Sequence, residues 1–137
     1  MSTTIKQAWN AYRNRTYKQG PEEREMVAFF DFCRLRANQD PRLSVAYHTP
    51  NEGKSSIQRR MTMQKAGVLA GVPDICVPIP SGKYAALYIE LKIKPNKPSE
   101  KQKRVIEQLN ANGCLAVVCY SASEAIQTLE NYLALQS

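Results

Sequence analysis

Long apolar runs are missing from this chain of 137 residues, and so are C-x-x-C pairs, internal repeats, low-complexity tracts and a second histidine. No stretch approaches the roughly 20 consecutive apolar residues of a membrane-spanning helix, so no membrane association is expected. The chain begins Met1-Ser2-Thr3-Thr4-Ile5-Lys6 without an apolar stretch of signal-peptide length, and the expected location is the cytoplasm. Cys33, Cys76, Cys114 and Cys119 stand far apart or in apolar segments, with only His48 to complete a zinc set. They read as reduced core thiols rather than as a zinc site or a disulfide scaffold. Nothing in the sequence calls for a small-molecule cofactor.

Acids are the scarcer charge: 12 Asp and Glu face 19 Lys and Arg, for a formal net charge of +7 and a pI near 9.4. Such a balance points to a polyanionic partner, because lysines and arginines that displace condensed counterions gain affinity for a phosphate backbone. The basic residues are also grouped. Lys54, Arg59, Arg60 and Lys65 precede Asp74, and Lys92, Lys94, Lys97, Lys101, Lys103 and Arg104 follow Glu90, whereas acids gather at Glu22, Glu23 and Glu25. With 43% hydrophobic residues and this length, the chain is sized for one domain around one core.

Residues 1–20 are polar, with isolated Trp9, Tyr12 and Tyr17 among Arg13, Arg15 and Lys18, and end at the boundary pair Gly20-Pro21. This N-terminal arm either packs on the domain or a second subunit, or grips nucleic acid. The domain proper is 21–137. Pro21, followed by Glu22, Glu23 and Glu25, predicts a helix to about Ala37, with a broad apolar face made of Met26, Val27, Phe29, Phe30, Cys33 and Leu35. Leu43 to His48 alternates as a strand, and residues 56 to 66 form a basic helix. Ile75 to Ile79 reads as a short buried strand, Pro80-Ser81-Gly82-Lys83 as a hairpin turn, and Tyr84 to Ile93 as its second strand. A helix from Ser99 to about Asn112, a strand from Cys114 to Tyr120 and a helix capped by Ser123 complete the chain. The predicted fold class is α/β, a mixed β-sheet flanked by helices in the order αβ(α)ββαβα, with a helical crossover to the last strand.

The chemistry lies in Gly71-Val72-Pro73-Asp74 and, fifteen residues on, Ile89-Glu90-Leu91-Lys92. Alternation puts Leu87, Ile89, Leu91 and Ile93 on one face of the strand, and Tyr88, Glu90 and Lys92 on the other. The hairpin can then bring Asp74 near Glu90. Two carboxylates converging beside a lysine carry a high electrostatic cost unless a cation sits between them. Taken singly, Asp74 could be a loop cap, and Glu90 with Lys92 a weak surface ion pair.

Those two motifs resemble the signature of PD-(D/E)XK nucleases. With His48-Thr49-Pro50-Asn51, with Lys65-Ala66-Gly67 ahead of Gly71, and with Ser99-Glu100-Lys101-Gln102 opening a helix, the resemblance is to the VRR-NUC branch, in its stand-alone phage or bacterial form. It runs from about Glu22 to Leu133 and implies a restriction-endonuclease-like fold. It also implies that Asp74 and Glu90, with the carbonyl of Leu91, hold Mg²⁺ or Mn²⁺, that Lys92 is the catalytic lysine, and that Gln102 reaches back toward the site. Ser99 and Gln102 equally form an S-x-x-Q capping box. The family's first-helix glutamate falls on Glu22, or on Glu23 if the register follows archaeal junction resolvases; Glu22 is preferred, although Met26 stands where the family often has glutamine.

His48 is either a general base or a structural residue at a strand end. With Asn51, Lys54, Arg59, Arg60 and Lys65 it forms the expected nucleic-acid-binding rim. The function these residues imply is metal-dependent, structure-selective DNA cleavage, foremost a homodimeric Holliday-junction resolvase acting on branched DNA in a bacterial cytoplasm, which is the host's if the gene is a phage's. A flap or single-strand nicking endonuclease is the enzymatic alternative. A non-catalytic nucleic-acid-binding module on the same fold is the alternative of another class.

Overall fold

The computed structural model describes residues 5–7, 20–50 and 56–135. Asn51 and Lys54 of the expected rim, and most of the arm, lie outside these segments. Helix α1 spans Pro21–Arg36, with Pro21 in the first turn, Glu22 and Glu23 at the positive end of the helix dipole, and Arg34 and Arg36 at the negative end. Its buried stripe is Met26, Phe29 and Cys33. The apolar face is narrower than expected: Val27 is 37% exposed and Leu35 72%. At about 100° per residue, those two side chains rotate away from the stripe.

The expected strand from Leu43 to His48 is mostly not a strand. Pro41–Val45 is a 3₁₀ helix, and only Tyr47–His48 pairs as β1. Asp40 and Pro41 supply the reason. The Asp40 side chain accepts the Arg42 N–H at 3.2 Å, and proline at the next position favours a helical start, so local capping overrides the alternation of apolar residues.

Helix α2 (Ile57–Lys65) is capped by Ser56, whose hydroxyl accepts the Arg59 N–H at 3.1 Å. It buries none of its residues. β2 (Ile75–Val77) and β3 (Leu87–Leu91) form an antiparallel hairpin, each shorter than expected. Helix α3 (Glu100–Ala111) then crosses over to β4 (Leu115–Cys119), which runs parallel to β3. Asn110 fastens α3 to β4 by donating to the Ala116 carbonyl at 3.0 Å and accepting the Ala116 N–H at 2.9 Å. The final helix α4 is Ala122–Leu133, and its cap is Ser121 rather than Ser123, for the Ser121 hydroxyl takes the Glu124 N–H at 3.0 Å.

The sheet order is β1-β2-β3-β4. Helices α1 and α4 pack together over one face. Between them and the sheet lie Phe29, Ile75, Val77, Leu87, Ile89, Leu91, Leu129 and Tyr132, all at most 1% exposed. Burying each such side chain stabilises the fold by about 1.5–3 kcal/mol before the entropy of ordering it is counted. Tyr132, buried in α4, donates its hydroxyl to the Ile79 carbonyl, and Ser81 donates to the Tyr132 carbonyl at 2.6 Å, tying the hairpin loop to the last helix. None of the four cysteines is paired: Cys33, Cys76 and Cys119 are buried free thiols, and Cys114 is half-buried. Among the described residues no helix is long and apolar enough to cross a membrane.

Candidate active site

The hairpin register builds the site. Ile75 pairs with Ile89, Cys76 with Tyr88 and Val77 with Leu87. Extending that register by one step sets Asp74 opposite Glu90, and cross-strand neighbours project from the same face. Because Ile75 and Ile89 point into the core, Asp74 and Glu90 point away from it. They do not reach solvent: Asp74 is 6% exposed and Glu90 1%. Apolar alternation alone would have left this face wet; the crossover helix α3 and the Gly71 turn close over it.

Gly71 explains how the turn comes so close. Its φ is +90°, and an added Cβ would stand 2.9 Å from the backbone carbonyl group of Lys101 and 3.1 Å from the nitrogen of Gln102. Only glycine combines that dihedral with that contact. The turn therefore abuts the N-terminus of α3, where Gln102 makes both interactions that its sequence position suggested. Its Oε1 accepts the Ser99 N–H at 2.8 Å, its N–H reaches the Ser99 hydroxyl at 3.2 Å, and its Nε2 donates to Glu90 Oε1 at 3.1 Å.

Asp74 is held at three points. Its Oδ2 accepts the Leu91 N–H at 3.1 Å, and its backbone carbonyl accepts the Thr49 N–H at 2.7 Å. The same carbonyl lies 2.9 Å from His48 Nδ1. A carbonyl can only accept, so this bond requires a proton on Nδ1. His48 thus braces the Asp74 turn from the edge strand. The Thr49 and Leu91 N–H contacts leave no trace in the sequence pattern, since they come from the backbone at positions that only pairing defines.

Lys92 Nζ is 3.6 Å from Glu90 Oε1, with the lysine side chain 17% exposed. Glu90 Oε2 is buried without a hydrogen-bond partner among the described residues. Burial first, and then the neighbouring Asp74 charge and contact, push the Glu90 carboxyl up to about 8, with Lys92 opposing and Glu22 adding to the rise. Glu22, half-buried at the start of α1, is the member of the Glu22/Glu23 pair that acts on Glu90; Glu23 is exposed. Among the described residues no three His, Cys, Asp or Glu side chains cluster closely enough to hold a metal by themselves. Two converging carboxylates, one with an unpartnered buried oxygen, nevertheless suit a hard divalent cation that takes oxygen ligands and keeps several waters.

Arg59, Arg60 and Lys65 lie exposed on α2. Arg60 and Gln102 border one cleft, which links the basic helix to the carboxylate cluster.

A buried acid pair at a hairpin end, a lysine two residues on and a glutamine from the crossover helix define a nuclease-type domain of the PD-(D/E)XK class. The VRR-NUC domain profile matches residues 10–123, and the chain belongs to that family. A solved structure of a VRR_NUC domain protein superposes with a TM-score of 0.72 at 25% identity, with 88% of this chain and 94% of that one covered. No curated protein matches the sequence.

Proposed function

We propose that this protein is a metal-dependent, structure-selective DNA endonuclease, acting as a homodimeric Holliday-junction resolvase. The observation that carries this reading is the juxtaposition of Asp74 and Glu90 with a buried, unpartnered Glu90 oxygen beside Lys92. Asp74, Glu90 and the Leu91 carbonyl would hold Mg²⁺ or Mn²⁺. Such an ion polarises a phosphate oxygen and makes water a competent nucleophile near neutral pH.

The chain's own groups do the rest. Lys92 places a positive charge where negative charge grows on the phosphorus oxygens during in-line displacement, and the low dielectric around it strengthens that attraction. Gln102 fixes the Glu90 carboxylate, leaving one oxygen for the cation and one for its partners. Glu22 does not cluster with Asp74 and Glu90 closely enough to hold a metal with them, so it would act through water. His48 braces Asp74 through the backbone. Arg59, Arg60 and Lys65, with His48, Asn51 and Lys54, would grip phosphates and set the orientation of the duplex without reading bases. Residues 1–20 are an arm and 21–137 the catalytic domain, in the cytoplasm of a bacterium or of a phage's host.

Two symmetric cuts in a four-way junction require two sites, which is the argument for the homodimer. The test is cleavage, by the parent and by Glu90→Ala, of labelled four-way junction, flap, splayed arm, duplex and single strand with Mg²⁺ or Mn²⁺. Paired symmetric incisions confined to the junction, absent in Glu90→Ala, are expected. Preferential cutting of flaps or nicking of single strands would replace the resolvase by that activity.

A further inference from the structure

A cleft of about 460 Å³ lies beside the carboxylate cluster. One wall is α2, through Arg60, Met63 and Gln64; another is the turn carrying Val68 and Leu69; Gln102 borders it at the side of Glu90. Because α2 buries none of its own residues, this is not a packing defect in the core. It is open space between a helix that stands off the domain and the Gly71 turn. Its size is that of a site for a small organic group. Its lining fits one kind of group in particular. Met63, Val68 and Leu69 present apolar, polarisable surface, while Gln64, Gln102 and Arg60 bring donors and acceptors to the border. A heterocyclic base matches both, with apolar faces and a hydrogen-bonding edge.

Two contacts tie the cleft to the point of cleavage. Gln102 lines it and donates to Glu90 at 3.1 Å. Thr49 also lines it and donates its N–H to the Asp74 carbonyl at 2.7 Å. A phosphodiester engaged by Asp74, Glu90 and Lys92 therefore has its neighbouring nucleotide at the cleft mouth, with the Arg60 guanidinium to meet the next phosphate. A base paired and stacked in a duplex cannot enter, whereas an unpaired one can at little cost.

We propose that this cleft is a subsite for the unstacked base of an unpaired nucleotide adjoining the scissile phosphate, and that its occupancy is a source of structure selectivity. The proposal rests on the nuclease reading above and specifies its substrate: DNA with an unpaired nucleotide next to the cut.

The test uses a branched DNA carrying 2-aminopurine, or an abasic site, at the nucleotide flanking the mapped cut. The variants are Ala70→Trp, which fills the cleft from an exposed position, and Met63→Ala, which enlarges it. With Ca²⁺ to suppress turnover, the parent is expected to raise 2-aminopurine fluorescence on binding, and Ala70→Trp to abolish that rise. In single turnover with Mg²⁺, the abasic substitution is expected to slow the parent about tenfold to a hundredfold. Ala70→Trp should be slowed as much on intact DNA and be indifferent to the abasic site, while Met63→Ala falls between. Equal cleavage of intact and abasic DNA by the parent, with Ala70→Trp as fast as the parent, overturns the proposal. So does dissociation of a dimer by Ala70→Trp with the fluorescence change intact, which would make the cleft an interface between copies. If the parent cuts no DNA with either metal, the nuclease reading fails separately, and the fluorescence arm, run with 2-aminopurine placed in turn at each unpaired nucleotide of the branch, still decides whether a base is seated there.

Discussion

Replacing Glu90 by glutamine should stabilise this protein at alkaline pH and abolish the metal binding proposed above. Glu90 is 1% exposed, has an oxygen with no hydrogen-bond partner among the described residues and faces Asp74 across the hairpin. Its carboxyl titrates near 8 in the folded chain, against an ordinary value of 4.5. Between those two values the folded state binds more protons than the unfolded one. Stability is therefore fully present below about 4.5, falls as pH rises through the window and levels off above about 8. A gap of that size corresponds to a loss on the order of 5 kcal/mol across the whole window, shared among the coupled charges of Asp74, Lys92 and Glu22 rather than owned by one residue. Glutamine keeps the shape, can offer its oxygen to Gln102, and turns an NH₂ toward Asp74. Urea unfolding followed by circular dichroism in EDTA should show the parent weakening by ~2–4 kcal/mol from pH 5 to pH 8.5 and Glu90→Gln staying nearly flat. Saturating Mn²⁺ at pH 8 should then restore the parent by about 2.7 kcal/mol at a hundredfold excess over its dissociation constant, and leave the variant unchanged. A parent equally stable at pH 5 and 8.5 without metal, and no stronger Glu90→Gln at the higher pH, would refute the account of a strained carboxylate pair.

Lys92→Ala is expected to lower the single-turnover cleavage rate by about a hundredfold or more while four-way-junction affinity in Ca²⁺ changes little, as gel-shift titration would reveal. A comparable loss in binding and rate would make Lys92 a phosphate-gripping residue instead. Ser99→Ala removes only the helix cap and should cost ~1 kcal/mol in urea with near-normal cleavage. Gln102→Ala keeps the Ser99 hydroxyl cap but loses the reciprocal bond from the Ser99 N–H and the Glu90 hydrogen bond together, so its cleavage should fall well below that of Ser99→Ala at similar stability. Gly71→Ala, facing both a φ of +90° and a 2.9 Å approach to Lys101, should destabilise by about 1–3 kcal/mol and weaken Mn²⁺ binding measured calorimetrically. Parent-like metal affinity in that variant would mean that the turn does not set the Asp74–Glu90 geometry.

Element order was legible because each element carries its own local cause. Pro21 with its following glutamates starts α1, the Ser99/Gln102 box starts α3, and the alternation around Glu90 marks β3. The misread segment, Leu43 to His48, is one where two local signals conflict, and the Asp40-Pro41 cap won over alternation. The misplaced cap of α4 is similar: Ser121 and Ser123 both fit the pattern, and only Ser121 has the Glu124 N–H within reach. Tyr132 can sit in the core because the Ile79 carbonyl, 53 positions away, accepts its hydroxyl, a partnership that no local pattern shows.

The amino-acid sequence by itself determined which chemistry is on offer: two acids, a lysine and a glutamine, each at a position dictated by strand alternation or by a helix cap. What tertiary structure alone decided is their protonation and their reach. A carboxylate on the non-core face of a strand is ordinarily solvated, and nothing in its spacing says otherwise. The Gly71 turn against α3 shuts out the water, and the hairpin register puts Asp74 opposite Glu90. Burial and that facing charge then raise the Glu90 carboxyl, because removing the solvent from a like-charged pair leaves it only a proton or a cation for relief.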